Sequence, residues 1–216
     1  MVDIKTVYNA LSKVAYDFPV PIVELLQIQT KDPFRVLVGT ILSARTKDET
    51  TAKVLPKLFS KVKMASDFRG LSLSQIEKLI YPVGFYKTKA KHLKLLPDVL
   101  DERYQGEIPS TVEELIELPG VGRKTANLVV AVAFQKPAIC VDVHMHRIMN
   151  RLGYIKTKNP LETEMVLRKK LPVEYWTTIS GLIVAYGQHI CRPISPKCSE
   201  CIIRKECKRV GVTTSR

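Results

Sequence analysis

Lys124 stands where helix physics disfavours a lysine. The stretch Leu118-Pro119-Gly120-Val121-Gly122-Arg123-Lys124-Thr125-Ala126-Asn127 leads from a turn with two glycines, one residue apart, straight into an apolar run, Leu128 to Phe134. The first turn of the helix that this pattern predicts therefore carries Arg123 and Lys124. A helix N-terminus already bears partial positive charge and amides without partners inside the helix, so cations belong at the other end. Two things would resolve the misfit: an anion bound by the turn, or a lysine kept partly neutral as a nucleophile. Asp142 is the second candidate, reading as the N-cap of a helix from Val143 to Leu152 closed by Gly153. From Lys124 to Phe134 a helix climbs roughly 15 Å. The segment from Phe134 to Asp142 spans up to roughly 26 Å if extended. Chain length thus lets Asp142 return beside Lys124, where a carboxylate has catalytic use.

Sulfur forms the third group. Four of the five cysteines crowd together as Cys191, Cys198, Cys201 and Cys207, with intervals of six, two and five residues. No signal peptide is expected, and in a chain of 216 residues that can bury a core without staples a disulfide scaffold is the wrong reading. Four thiolates this close suit a metal centre. Zinc more often takes two short knuckles, whereas an iron–sulfur cluster accepts four cysteines equally well, so spacing leaves both open. Cys140 lies in an apolar run and reads as a buried thiol.

The elements that must position these groups are legible around the glycine turn. Pro109 precedes two overlapping capping boxes, Ser110 with Glu113 and Thr111 with Glu114, and Leu115, Ile116 and Leu118 supply an apolar face. The unit is helix, glycine hairpin, helix over about 112–134. Its glycines let backbone approach a nucleic-acid strand, and the amides opening the second helix can bind phosphate. A bare Gly-x-Gly would fit any interhelical turn; the proline, the basic pair and the helix entry together favour phosphate. Elsewhere helical periodicity dominates, as in Ile22-Val23-Leu25-Leu26, Phe34-Leu37-Val38-Ile41-Leu42 and Trp176-Ile179-Leu182-Ile183, with no alternating strand pattern. A net charge of +13 implies an anionic partner. No apolar run reaches membrane-span length, so the chain is expected to be soluble, and cytoplasmic and nucleoid-associated if prokaryotic.

Taken together, these motifs resemble the endonuclease III family of DNA glycosylases over nearly the whole chain. Leu118 to Ala126 is similar to that family's hairpin with its nucleophilic lysine. Val141-Asp142-Val143-His144, followed by Arg147 and Asn150-Arg151, is similar to its catalytic-aspartate segment, and the cysteine spacing to its iron–sulfur signature. Leu42-Ser43-Ala44-Arg45-Thr46-Lys47-Asp48 and Val83-Gly84-Phe85-Tyr86-Lys87-Thr88-Lys89-Ala90 resemble its two DNA-probing loops.

The resemblance implies an all-α fold of two helical lobes with a DNA-binding cleft between them. Residues 26–136 would form a six-helix barrel carrying the hairpin, and residues 1–25 with 137–216 a lobe holding a [4Fe-4S] cluster on Cys191, Cys198, Cys201 and Cys207. It implies a monomer acting on double-stranded DNA that contains a damaged base or abasic site. Lys124 would attack C1′ of a flipped nucleotide with help from Asp142, removing oxidised pyrimidines and then cleaving the abasic site by β-elimination. The helix N-terminus, Arg123 and desolvation would all favour the neutral amine. DNA contacts would fall to Gly120, Val121, Gly122, Arg123, Thr125, Arg45, Phe85, Arg147, Arg192 and Lys197, with His144 supporting Asp142.

Two residues depart from the pattern. Arg45 stands where the family usually has glutamine, and Phe85 where it often has leucine, which bears on opposite-base preference and substrate range. The competing readings are a monofunctional mismatch or adenine glycosylase, against which Lys124 argues, a non-catalytic DNA-structure binder, and an iron–sulfur electron carrier.

Overall fold

The computed structural model describes residues 2–14 and 32–216, and no strand occurs among them. The all-helical expectation holds. The apolar pattern Ile22-Val23-Leu25-Leu26 and the expected lobe boundary at 25/26 lie outside the described residues. Two compact units are present: Val20–Lys136, and Met1–Pro19 together with Pro137–Arg216.

Within Val20–Lys136 the described helices are α2 (Pro33–Ser43), α3 (Asp48–Lys61), α4 (Leu73–Ile80), α5 (Tyr86–Tyr104), α6 (Val112–Leu115) and α7 (Arg123–Ala133). Asp32 opens α2 by accepting the Phe34 amide, and Pro33 fills the first position, where a missing N–H costs nothing. Helix α2 is the core of this unit, buried from Val36 to Leu42, and it packs along α7. Ser72 and Gln75 cap α4 reciprocally, so that Ile76 and Ile80 turn into the same core. Along α5, Lys89, Leu93, Leu96 and Leu100 form one buried stripe at spacings of four, three and four.

The other unit holds α1 (Ile4–Lys13), α8 (Val143–Leu152), α9 (Pro160–Lys170) and α10 (Trp176–His189). Val7 and Leu11 of α1, Met145, Ile148 and Met149 of α8, and Ile179 and Ile183 of α10 share one apolar core. Helices α8 and α10 approach closely at Gly187, where a Cβ would lie 2.5 Å from His144 Nδ1. After α10 the chain has little regular structure, and this is where the cysteines lie.

Candidate functional site

The hairpin is built from its capping residues upward. Of the two candidate pairs, Thr111 with Glu114 caps the helix, though not as a reciprocal box: the Thr111 hydroxyl accepts the Glu114 amide and donates to its carboxylate at 2.6 Å. The Ser110 hydroxyl instead takes a hydrogen bond from Lys136 Nζ at 2.6 Å. Helix α6 is tied to α5 by the Tyr104 hydroxyl on the Glu114 carbonyl and by the exposed pair Arg103–Glu117. The turn then closes with the Val121 amide on the Leu118 carbonyl.

The two glycines differ. Gly120 has φ +78°, and a Cβ there would lie 2.5 Å from His92 Nδ1. Gly122 is extended, caps α7 without a side chain, and a Cβ on it would meet nothing within 4 Å. Lys124 stands exposed in the first turn of α7, with Arg123 and Thr125 half-buried beside it. This turn can present backbone amides and an amine to an anionic ligand.

Asp142 is the N-cap of α8, half-buried, with Oδ1 accepting the amides of His144 and Met145 at 2.9 Å each. His144 Nδ1 lies 3.0 Å from Arg147 Nη2. Arg147, expected at DNA, is half-buried: Nε and Nη2 donate to the Cys191 carbonyl, and Nη2 also to that of Gly187. These contacts make it a brace between α8, α10 and the first cysteine, and burial pulls its pKa down.

The four cysteines Cys191, Cys198, Cys201 and Cys207 line one cavity, together with Arg151 and Tyr186. Burial pushes the Cys201 and Cys207 thiols up, and the neighbouring cysteines Cys191 and Cys198 add to the rise in both. Arg151 Nη1 donates to Cys191 Sγ at 3.5 Å, and the Arg209 amide to Cys207 Sγ at 3.4 Å. Arg151 also grips the Arg192 and Pro193 carbonyls. Among the described residues no three His, Cys, Asp or Glu side chains gather tightly enough to hold a single metal ion. Arg192 is exposed, whereas Lys197 pairs with Glu200 at 3.1 Å. Such surface pairs are weak and yield readily to phosphate.

The two loops expected to probe DNA come together. Arg45 and Phe85 are both exposed, and the guanidinium lies 5.6 Å from the Phe85 ring centroid. Both have left-handed backbone, φ +54° and +56°, which is unusual for bulky residues. Beneath them is a residue of the second loop motif for which the sequence predicted no role. Buried Lys89 donates to the Leu42 carbonyl at 2.8 Å, the Ala44 carbonyl at 2.7 Å and Thr46 Oγ1 at 3.1 Å. Its signal was available, since Lys89 takes a place in the leucine stripe of α5.

Comparison with known proteins agrees with this geometry. Residues 38–173 match the HhH-GPD superfamily base excision DNA repair protein family. Endonuclease III of Thermotoga maritima is 46% identical over 177 residues, covering 82% of this chain and 83% of that protein. Among solved structures, a trapped endonuclease III–DNA covalent intermediate with an estranged adenine aligns with a TM-score of 0.79 and 34% identity over 97% of both chains. A thermostable thymine-DNA glycosylase aligns with a TM-score of 0.82 and 27% identity over 95% of both. The hairpin with Lys124, the capping aspartate and these matches converge: the chain belongs to the endonuclease III family of HhH-GPD base excision DNA repair glycosylases.

Proposed function

We propose that this chain is a bifunctional glycosylase and abasic-site lyase that removes oxidised pyrimidines from duplex DNA, with Lys124 as nucleophile. The observation that carries the proposal is a lysine exposed at the first turn of α7, directly after a glycine turn with room at Gly122. The similar endonuclease III described as a trapped covalent DNA intermediate supports the same chemistry.

A base stacked in duplex DNA must be flipped out to be attacked. The neutral Lys124 amine adds to C1′ of the flipped nucleotide, the C1′–N bond breaks, and the base leaves with a proton. The nitrogen lone pair then opens the sugar ring: the C1′–O4′ bond breaks, O4′ takes a proton and C1′ becomes a protonated imine. That imine withdraws electrons, so C2′ gives up a proton, the C3′–O bond breaks and the 3′ phosphate departs. Water then hydrolyses the imine and restores the amine. Because Lys124 is exposed, bound DNA must supply the water exclusion that the reaction needs. Asp142 takes the proton from the amine or stabilises positive charge on the sugar, with Oδ1 held in orientation by its two amide bonds. Amides around Gly120, Val121 and Gly122 bind the backbone phosphates, aided by Arg123 and Thr125.

Cys191, Cys198, Cys201 and Cys207 would hold a [4Fe-4S] cluster. Their donor chemistry fits: four sulfurs around one cavity, with N–H donors aimed at two of them. Zinc would need sulfurs converging at about 2.3 Å on one point, whereas a cluster spreads them around a body. When bound, the cluster supplies a scaffold for the basic loop bearing Arg192 and Lys197, and a centre capable of one-electron redox.

Borohydride reduction tests the reading. Wild-type protein incubated with lesion duplex should yield a covalent protein–DNA product, and Lys124→Gln should abolish it while still binding the duplex. Undiminished trapping by that variant removes Lys124 as nucleophile. A duplex panel that includes a G·T mismatch separates this reading from a thymine-DNA glycosylase activity. The purified protein should contain about four irons per chain; stoichiometric zinc without iron would overturn the cluster.

A further inference from the structure

We infer that Lys89 is a positioning residue for lesion recognition: its buried ammonium locks the Arg45 loop onto the start of α5, so that Arg45 and Phe85 form a single preformed wedge. The inference rests on the proposed duplex-DNA reading.

All three Lys89 acceptors come from the Arg45 side: Leu42 in the last turn of α2, Ala44 as its C-cap, and Thr46 just beyond. Those carbonyls form the negative end of the helix, where a cation is favoured. Thr46 Oγ1 also accepts the Gly84 amide at 3.0 Å. A Cβ on Gly84 would lie 2.5 Å from the Arg45 carbonyl oxygen, so the backbone before Phe85 is pressed onto the backbone of Arg45. Two loops far apart in sequence are thereby joined beneath two left-handed, outward-facing side chains, Arg45 and Phe85.

Packing alone does not explain a lysine here. Burying an ammonium is unfavourable, and a methionine would fill the stripe of α5 without that cost. Burial pulls the Lys89 pKa down to about 8. The charged form is still the one that suits the site, because only an ammonium has three N–H donors for three acceptors.

The test is single-turnover excision of one lesion opposite guanine and opposite an abasic spacer, which leaves no orphaned base to support. Lys89→Met should slow excision opposite guanine by roughly ten-fold or more, the scale of a lost bond to a charged group. Opposite the spacer the loss should stay within about two-fold. In an Arg45→Ala/Phe85→Ala background, adding Lys89→Met should cost no more than about two-fold, because the wedge it positions is gone. Equal losses on both duplexes, or a full loss in the double-alanine background, would make Lys89 a stability residue and overturn the inference. Should Lys89→Met fail to fold, Thr46→Val enters the same cycle, with the same coupling expected and the same additivity overturning it. A parallel readout uses 2-aminopurine opposite the lesion in a Lys124→Gln background. Unstacking fluorescence there should fall with Lys89→Met, and an unchanged signal counts against the clamp. If wild-type protein excises no lesion at all, the proposed activity fails, while the fluorescence arm still judges the wedge.

Discussion

The hairpin turn and the wedge loops are both backbone features with positive φ, yet they are built in opposite ways. At the hairpin, Gly120 takes φ +78° against His92 and Gly122 leaves open space at the start of α7. In the proposed function the backbone itself touches phosphate here, so side chains can be dispensed with and glycine carries the conformation. At the proposed wedge, side chains make the contact instead. Arg45 and Phe85 therefore adopt left-handed geometry that costs bulky residues about 1–2 kcal/mol each. That cost is offset from below by Lys89, Thr46 and the close approach of Gly84. A protein can thus make a contact with bare backbone cheaply in strain, or with side chains at the expense of a supporting clamp.

Replacing both wedge residues, Arg45→Gly with Phe85→Gly, should break this contrast most sharply. Excision from duplex should fall roughly a hundred-fold, matching the few kcal/mol needed to unstack a base step. Urea midpoints should hold or rise, with under about 1 kcal/mol gained per site as left-handed strain is relieved. A parallel drop in stability would show that the wedge residues support the fold. Gly120→Ala should do the reverse, costing about 2 kcal/mol of stability through positive φ and the clash with His92; an unchanged melting curve would mean the turn can rearrange. Gly122→Ala should leave stability within about 0.5 kcal/mol and weaken lesion-duplex affinity by about ten-fold, as one amide–phosphate contact is lost. Its salt dependence should not change, because no charge is removed. The smallest effect expected is at Arg45. Arginine presents only donors, which suits the guanine O6 and N7 acceptors of an orphaned base better than adenine. Excision opposite guanine should therefore exceed that opposite adenine by about five-fold, near the low end for such contacts, with Arg45→Gln narrowing the ratio. Identical profiles in both proteins would remove Arg45 from opposite-base readout.

The same contrast explains what the sequence disclosed. The hairpin was legible because glycine announces special backbone, and Asp142, Val143 and Gly153 announced α8 from cap to cap. Left-handed Arg45 and Phe85 carry no such mark, since their φ is imposed by packing from another segment. Lys89 was hidden for the opposite reason: lysines on helices are usually solvated, and only its place in the Leu93, Leu96 and Leu100 stripe gives it away. Cysteine spacing supplied the donors but not the cavity they line. Nor could spacing reveal that Arg147 turns its guanidinium toward Cys191 and Gly187, because that depends on how closely α10 approaches α8.

The clamp beneath Arg45 and Phe85 also bears on how quickly DNA can be searched. A repair protein interrogates very many sound base pairs for each damaged one, so any ordering of its reading side chains is repeated at each stop. Immobilising a long side chain takes about 0.5–1.5 kcal/mol. In this molecule the Lys89 bonds fix the backbone beneath Arg45 and Phe85 once, when the chain folds. On the proposed reading, each encounter with DNA then begins with the loop backbone already ordered, and only the two side chains remain to be fixed.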